Sequence, residues 1–237
     1  MPNHHLAFAL DFPSLADARP YFTLSKHIRF AKIGLELFCR EGPTVVQQVA
    51  DAGFHVFLDL KLHDIPATVE RAVDNLATLG IHLLTVHTFG GPTMLSRAVQ
   101  AAQKSGTTQI VGVTVLTSLD TTDLSCLGID RAVADQTERL AKMAWQAGVR
   151  AFVCSPKEVA HLRSTLGSDA LLITPGIRPA AAATQDQKRV ATPASAIADG
   201  ADILVVGRPI RDAQDPEAAT LNILAQINQS LASKTIP

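Results

Sequence analysis

Asp59, Lys61 and Asp64 stand close together in the stretch Asp59-Leu60-Lys61-Leu62-His63-Asp64-Ile65-Pro66-Ala67-Thr68. A fixed ammonium beside carboxylates is suited to stabilising negative charge as it develops and to delivering a proton. The run His55-Val56-Phe57-Leu58 ahead of it is apolar and rich in β-formers, which predicts a strand over 55–61. Side chains alternate along a strand, so Asp59 and Lys61 share one face, with Leu58, Leu60 and Leu62 on the other. Opposite charges at the end of an apolar strand are costly to desolvate, and a chain tolerates that cost more readily where the charges do chemistry. Asp64 stands where a helix N-cap belongs and Gly80 where a helix stop belongs. Each residue also has a plain structural reading: an ion pair at a strand end for Asp59 and Lys61, a cap for Asp64.

These residues need a frame that aims them at one place. Eight short β-rich runs recur along the chain, at 6–11, 29–34, 55–61, 83–88, 109–116, 151–155, 170–177 and 202–207. Helical patterns fall between them, for example over 91–104 and 130–147, and a last one over 216–231 closes the chain. Strand-helix alternation repeated eight times predicts a parallel sheet closed into an α/β fold, a single (β/α)8 TIM barrel. No linker or composition break interrupts it, so residues 1–237 are expected to form a single domain.

In such a barrel function sits at the C-terminal strand ends. Strand one ends in Asp11 after the small residues Ala7 and Ala9; strand two carries Lys32. Strand three ends in Asp59 and Lys61, strand four in His87-Thr88, strand five in Thr117-Ser118 and strand six in Ser155. Strand seven runs into Pro175-Gly176-Ile177-Arg178, and strand eight ends Gly207-Arg208-Pro209. Polar groups from distant parts of the chain thus converge on one rim. His87 is placed to support Lys61 or Asp59; Cys126, His63 and Trp145 have no chemical reading.

Two features of the rim suggest phosphate. Barrels commonly bind phosphate with the loops after strands seven and eight. Gly207 lets backbone N–H groups approach an anion, and Arg208 offers a bidentate fork. The stretch 176–193 has no regular pattern, and loops of that length are often functional lids. It carries Arg178 and Gln187, both able to reach a bound phosphate.

Composition narrows the alternatives. Apolar residues make up 47% of the 237, ample for a large core. A net charge of −1 provides no basic stripe for nucleic acid. Cys39, Cys126 and Cys154 lack C-x-x-C spacing, which argues against a zinc knuckle or a disulfide framework and fits a reducing cytoplasm. The first residues show no signal-peptide pattern, and no run of about 18 apolar residues predicts a membrane span.

The pattern Asp59-x-Lys61-x-x-Asp64-Ile65-Pro66-x-Thr68 resembles the signature of the orotidine 5′-phosphate decarboxylase family. Leu10-Asp11, Ala31-Lys32-Ile33-Gly34, Val113-Thr114-Val115-Leu116-Thr117-Ser118, Thr174-Pro175-Gly176-Ile177-Arg178 and Val206-Gly207-Arg208-Pro209 resemble its other blocks, in order, over about 6–230. The resemblance implies cofactor-free decarboxylation of orotidine 5′-monophosphate to uridine 5′-monophosphate, the last step of pyrimidine nucleotide synthesis. It implies that Lys61 donates a proton to C6 of the pyrimidine and that Lys32, Asp59, Lys61 and Asp64 form an alternating charge row. Asp64 and Thr68 would reach into the neighbouring subunit's site in a homodimer. Asp11 and Lys32 would hold the ribose hydroxyls, Thr117 and Ser118 would meet the pyrimidine edge, and Arg178, Gln187, Gly207 and Arg208 would bind the 5′-phosphate.

Three other readings compete. Metal-dependent sugar-phosphate enzymes of the same superfamily share a D-x-K-x-x-D core but resemble one another in an acidic metal ligand at the end of strand two, where this chain has Lys32, a poor neighbour for Mg²⁺. Schiff-base chemistry at Lys61 needs a neutral amine, whereas flanking carboxylates favour the ammonium. A non-catalytic phosphate binder needs no Asp59, Lys61 and Asp64.

Overall fold

A computed structural model describes residues 3–179 and 191–234. Eight parallel strands close into a barrel in sequence order. They are β1 (Asn3–Ala9), β2 (Ile28–Gly34), β3 (His55–Leu62), β4 (Leu83–His87), β5 (Gln109–Val113), β6 (Ala151–Val153), β7 (Leu171–Thr174) and β8 (Ile203–Val206). Helices follow the strands, the longest being Gly91–Ser105, Val133–Gln146 and, after the last strand, Pro216–Lys234.

The period-two pattern of the strands sorts two cores. One residue parity fills the barrel: Ala7, Ala9, Phe57, Leu83, Val111 and Ile173 are among the buried residues that meet there. The other parity faces the helices, where Phe8, Leu58, Leu84 and Phe152 are fully buried in the larger outer cluster. Each such side chain stabilises the fold by about 1.5–3 kcal/mol relative to exposure.

Several elements differ from the sequence-based expectation. Asp64 is not the N-cap of the helix Pro66–Ala77: Ile65 holds that position, outside the helical region at φ −57°, ψ 147°, and Pro66 opens the helix. The residue before a proline is driven out of the helical region, and Pro is well suited to the first helical position. Asp64 instead accepts a hydrogen bond from the Ile65 N–H through its own Oδ1, 2.6 Å. The expected strand over 109–116 stops at Val113, because β6 has only three residues and its last, Val153, pairs with Val113.

The N-terminal face of the barrel holds a histidine stack. His55 opens β3, and its ring lies 3.7 Å from that of His82, nearly parallel. Burial, His82, Arg29 and His4 together push the His55 pKa from 6.5 down to about 4. The folded protein therefore takes up this proton later than the unfolded chain. The stabilisation from a neutral His55 is present above pH 6.5 and is lost as pH falls towards 4. We expect the melting temperature to drop across that window and the drop to be shallower in His55→Phe, which keeps a ring but cannot charge. Equal slopes in thermal melts of the two proteins would assign the acid sensitivity elsewhere.

Candidate active site

Strand register brings the charges together. Ala9 of β1 pairs with Lys32 of β2, and Gly34 of β2 pairs with Asp59 of β3. Asp11 lies two residues beyond Ala9 and Lys32 two before Gly34, so the Lys32 stem rises between the two carboxylates. Its Nζ donates to Asp11 Oδ1 at 3.0 Å and lies 3.6 Å from Asp59 Oδ2. Lys61 Nζ donates to both Asp59 oxygens, at 2.8 and 2.9 Å. The alternating row is thus Asp11, Lys32, Asp59, Lys61. Gly34 leaves room for it: a Cβ there would stand 3.3 Å from Lys32 Nζ and 3.4 Å from Asp11 Oδ1.

Asp59 is the hinge of this row. Burial works to raise its pKa, but the Lys32 and Lys61 ammonium groups, with hydrogen bonds from Lys61 and Thr85, outweigh burial and hold the carboxyl below its ordinary range. Breaking one partner of so enclosed a set leaves a buried charge uncompensated, which is why the row acts as a unit.

The row opens onto a cavity of about 280 Å³ at the C-terminal strand ends. Phe57, Val153 and Val205, from the barrel interior, give it an apolar wall, while Asp11, Lys32, Asp59, Lys61, Thr117, Arg178, Gly207 and Arg208 bring polar groups to the same space. Arg178 stands in a turn that needs glycine: Gly176 has φ +79°, a left-handed conformation that β-carbons disfavour. The two ends of this loop are tied by backbone hydrogen bonds, Arg178 N–H to the Ala191 carbonyl at 2.9 Å and Ala191 N–H to the Gly176 carbonyl at 3.3 Å.

Not every expected residue is in the cavity wall. Ser118 is exposed beside Thr117 but does not line the cavity. Asp64 is exposed and Thr68 half-buried on the first turn of its helix, and neither lines the cavity of its own chain. Gln187 lies outside the described residues. His87 does not hydrogen-bond Lys61 or Asp59. It packs beside His63, ring centroids 5.6 Å apart, and burial, His63 and Lys61 lower its pKa.

Two residues at the site escaped the sequence reading. Arg211, in the short helix Arg208–Arg211, donates to the Asp11 carbonyl at 3.0 Å and so ties the end of β1 to the turn after β8. Thr85 lies fully buried within the otherwise apolar start of β4, Leu83-Leu84-Thr85-Val86. A hydroxyl in such a run must find partners, and that was the available signal. Its partners are Asp59 and the Lys61 backbone.

A closed parallel barrel with a charged cavity at the C-terminal strand ends has the architecture of the (β/α)8-barrel enzymes. The chain belongs to the orotidine 5′-phosphate decarboxylase / HUMPS family, whose model matches residues 4–223. It is 50% identical over 224 residues to the orotidine 5′-phosphate decarboxylase of Opitutus terrae, covering 94% of this chain and 97% of that protein. It is 49% identical over 230 residues to the orotidine 5′-phosphate decarboxylase of Thermobifida fusca, covering 96% and 97%. The crystal structure of orotidine 5′-phosphate decarboxylase from Lactobacillus acidophilus is similar with a TM-score of 0.84 and 35% identity, covering 95% of this chain and 100% of that one.

Proposed function

We propose that this chain is a carboxy-lyase that converts orotidine 5′-monophosphate to uridine 5′-monophosphate and CO₂ in pyrimidine biosynthesis, without metal or organic cofactor. The observation that carries the proposal is the row Asp11, Lys32, Asp59, Lys61 sharing one apolar-walled cavity with Arg178, Gly207 and Arg208. The leaving CO₂ takes the C6 carboxyl carbon, and the bonding electron pair stays on C6. That carbanion has no adjacent electron sink, so the Lys61 ammonium stabilises it and then protonates it. Asp59 stands beside the departing carboxylate and orients Lys61. Asp11 and Lys32 hold the ribose hydroxyls, and Thr117 with Ser118 meets the pyrimidine edge. Arg178, Gln187, Gly207 and Arg208 bind the phosphate, whose binding energy supports orientation at the reacting carbon.

The active form is a cytoplasmic homodimer, with Asp64 and Thr68 completing the partner's site and each chain acting as one domain. The exposure of Asp64 and of Ile65 (67%), outside their own cavity, supports this. Among the described residues no helix is long and apolar enough to cross a membrane.

The metal-dependent alternative is disfavoured by the donor set. Lys32 Nζ occupies the space between Asp11 and Asp59, where a divalent cation would have to displace an ammonium. Incubation with orotidine 5′-monophosphate and a chelator, followed by ultraviolet absorbance, tests both points. Unchanged turnover in chelator is expected. Loss of turnover restored by Mg²⁺ would refute the metal-free mechanism, and no turnover under any condition would refute the activity.

A further inference from the structure

Lys61 is the only described non-glycine residue with positive φ, +49°. Such a conformation is strained for a side-chain-bearing residue and persists only where its surroundings hold it. It arises at a bulge. Leu58 of β3 pairs with Leu84 of β4, but the next pair is Leu62 with Val86, so β3 carries two extra residues between them. Bulges of this kind re-aim a side chain, and here the re-aimed side chain is that of Lys61.

Thr85 sits opposite the bulge. Its Oγ1 accepts the Lys61 N–H at 2.8 Å and donates to Asp59 Oδ1 at 3.0 Å. Lys61 Nζ returns to that same oxygen at 2.8 Å. One hydroxyl thus closes a ring through the Lys61 backbone, the Asp59 carboxylate and the Lys61 ammonium. A threonine or serine hydroxyl can donate and accept at once; an aliphatic side chain can do neither. Thr85 is fully buried and is not part of the cavity wall, so it acts through its two neighbours.

We propose that Thr85 is a positioning residue for the decarboxylation, holding the strained Lys61 backbone and the Asp59 carboxylate in the one arrangement that aims the Lys61 ammonium into the cavity. The inference rests on Lys61 being the proton donor of the proposed reaction. The Asp59 charge is correspondingly favoured by the Thr85 hydrogen bond.

The test compares Thr85→Val, of nearly equal shape, with Thr85→Ser, which keeps the hydroxyl. Steady-state kinetics with orotidine 5′-monophosphate are followed by ultraviolet absorbance. Thr85→Val is expected to lower kcat by about 10- to 100-fold with KM within about threefold of the parent, and Thr85→Ser to stay within about threefold in both. If valine prevents folding, judged by circular dichroism, Thr85→Ala carries the same expectation against Thr85→Ser. A kcat for the hydroxyl-free variant within about twofold of the parent, or a serine variant as slow as it, overturns the proposal. So does a rise in KM with kcat unchanged. A parent without turnover, or a Lys61→Ala protein as fast as the parent, refutes instead the reading on which the proposal rests.

Discussion

Lys61→Ala is expected to lower kcat by at least about 10³-fold while the nucleotide still binds. In the proposed mechanism the lysine acts on charge that appears only in the transition state, so its loss should be felt in kcat rather than in ground-state affinity. Its Nζ sits 2.8 and 2.9 Å from the Asp59 oxygens at the edge of the cavity, held but partly exposed. Repulsion between Asp59 and the departing carboxylate cannot supply an effect of the whole size. Two unit charges about 4 Å apart at an effective dielectric of about 20 interact by about 4 kcal/mol, whereas enzymes lower barriers by roughly 8–23 kcal/mol. In the proposed mechanism charge stabilisation and proton delivery by Lys61, with orientation through the phosphate, carry the larger share. Single-turnover kinetics together with equilibrium titration of uridine 5′-monophosphate separate the chemical step from binding. A kcat within about tenfold of the parent would remove Lys61 from the proton-donor role.

Subunit exchange between Lys61→Ala and Asp64→Ala proteins should restore activity that neither has alone. Asp64 is exposed, and no ion pair joins it to the row of its own chain among the described residues. Asp64 and Thr68, four residues apart across the turn that leads into the helix Pro66–Ala77, lie beside the rim. In a two-fold dimer each chain would lend these residues to the other. A hybrid dimer then has one site with both lesions and one with neither. Random exchange makes about half the dimers hybrids, so about a quarter of parental activity should return. No recovery, with exchange verified by native mass spectrometry, would place Asp64 in its own subunit's site or reduce it to a structural role.

Local pattern made much of this legible. The apolar runs that became β1 to β8 needed only period-two alternation and the turn signals between them, both properties of a few neighbouring residues. Once eight strand-helix units imply a barrel, the strand ends name Asp11, Lys32, Asp59, Lys61, Thr117, Arg178, Gly207 and Arg208, and all of these line the cavity. Helix termini were less secure: Asp64 has the side chain of a cap, yet Pro66 fixes the entry of the helix and leaves Ile65 in that position.

What tertiary structure alone decided depends on register. That Lys32 rises between Asp11 and Asp59 follows from Ala9 pairing with Lys32 and Gly34 with Asp59, registers between successive strands that the residues within each strand do not reveal. The bulge that turns Lys61 to φ +49° exists because β3 gains two residues on β4, and no alternation within β3 reveals it. Thr85 shows only as a hydroxyl in an apolar run until closure sets it against Asp59. Sequence by itself determined which strand ends bring polar side chains to the rim, because facing along a regular strand is a local property. Which of them touch, and in what order of charge, was decided by how eight strands align, because that alignment is a property of the closed barrel.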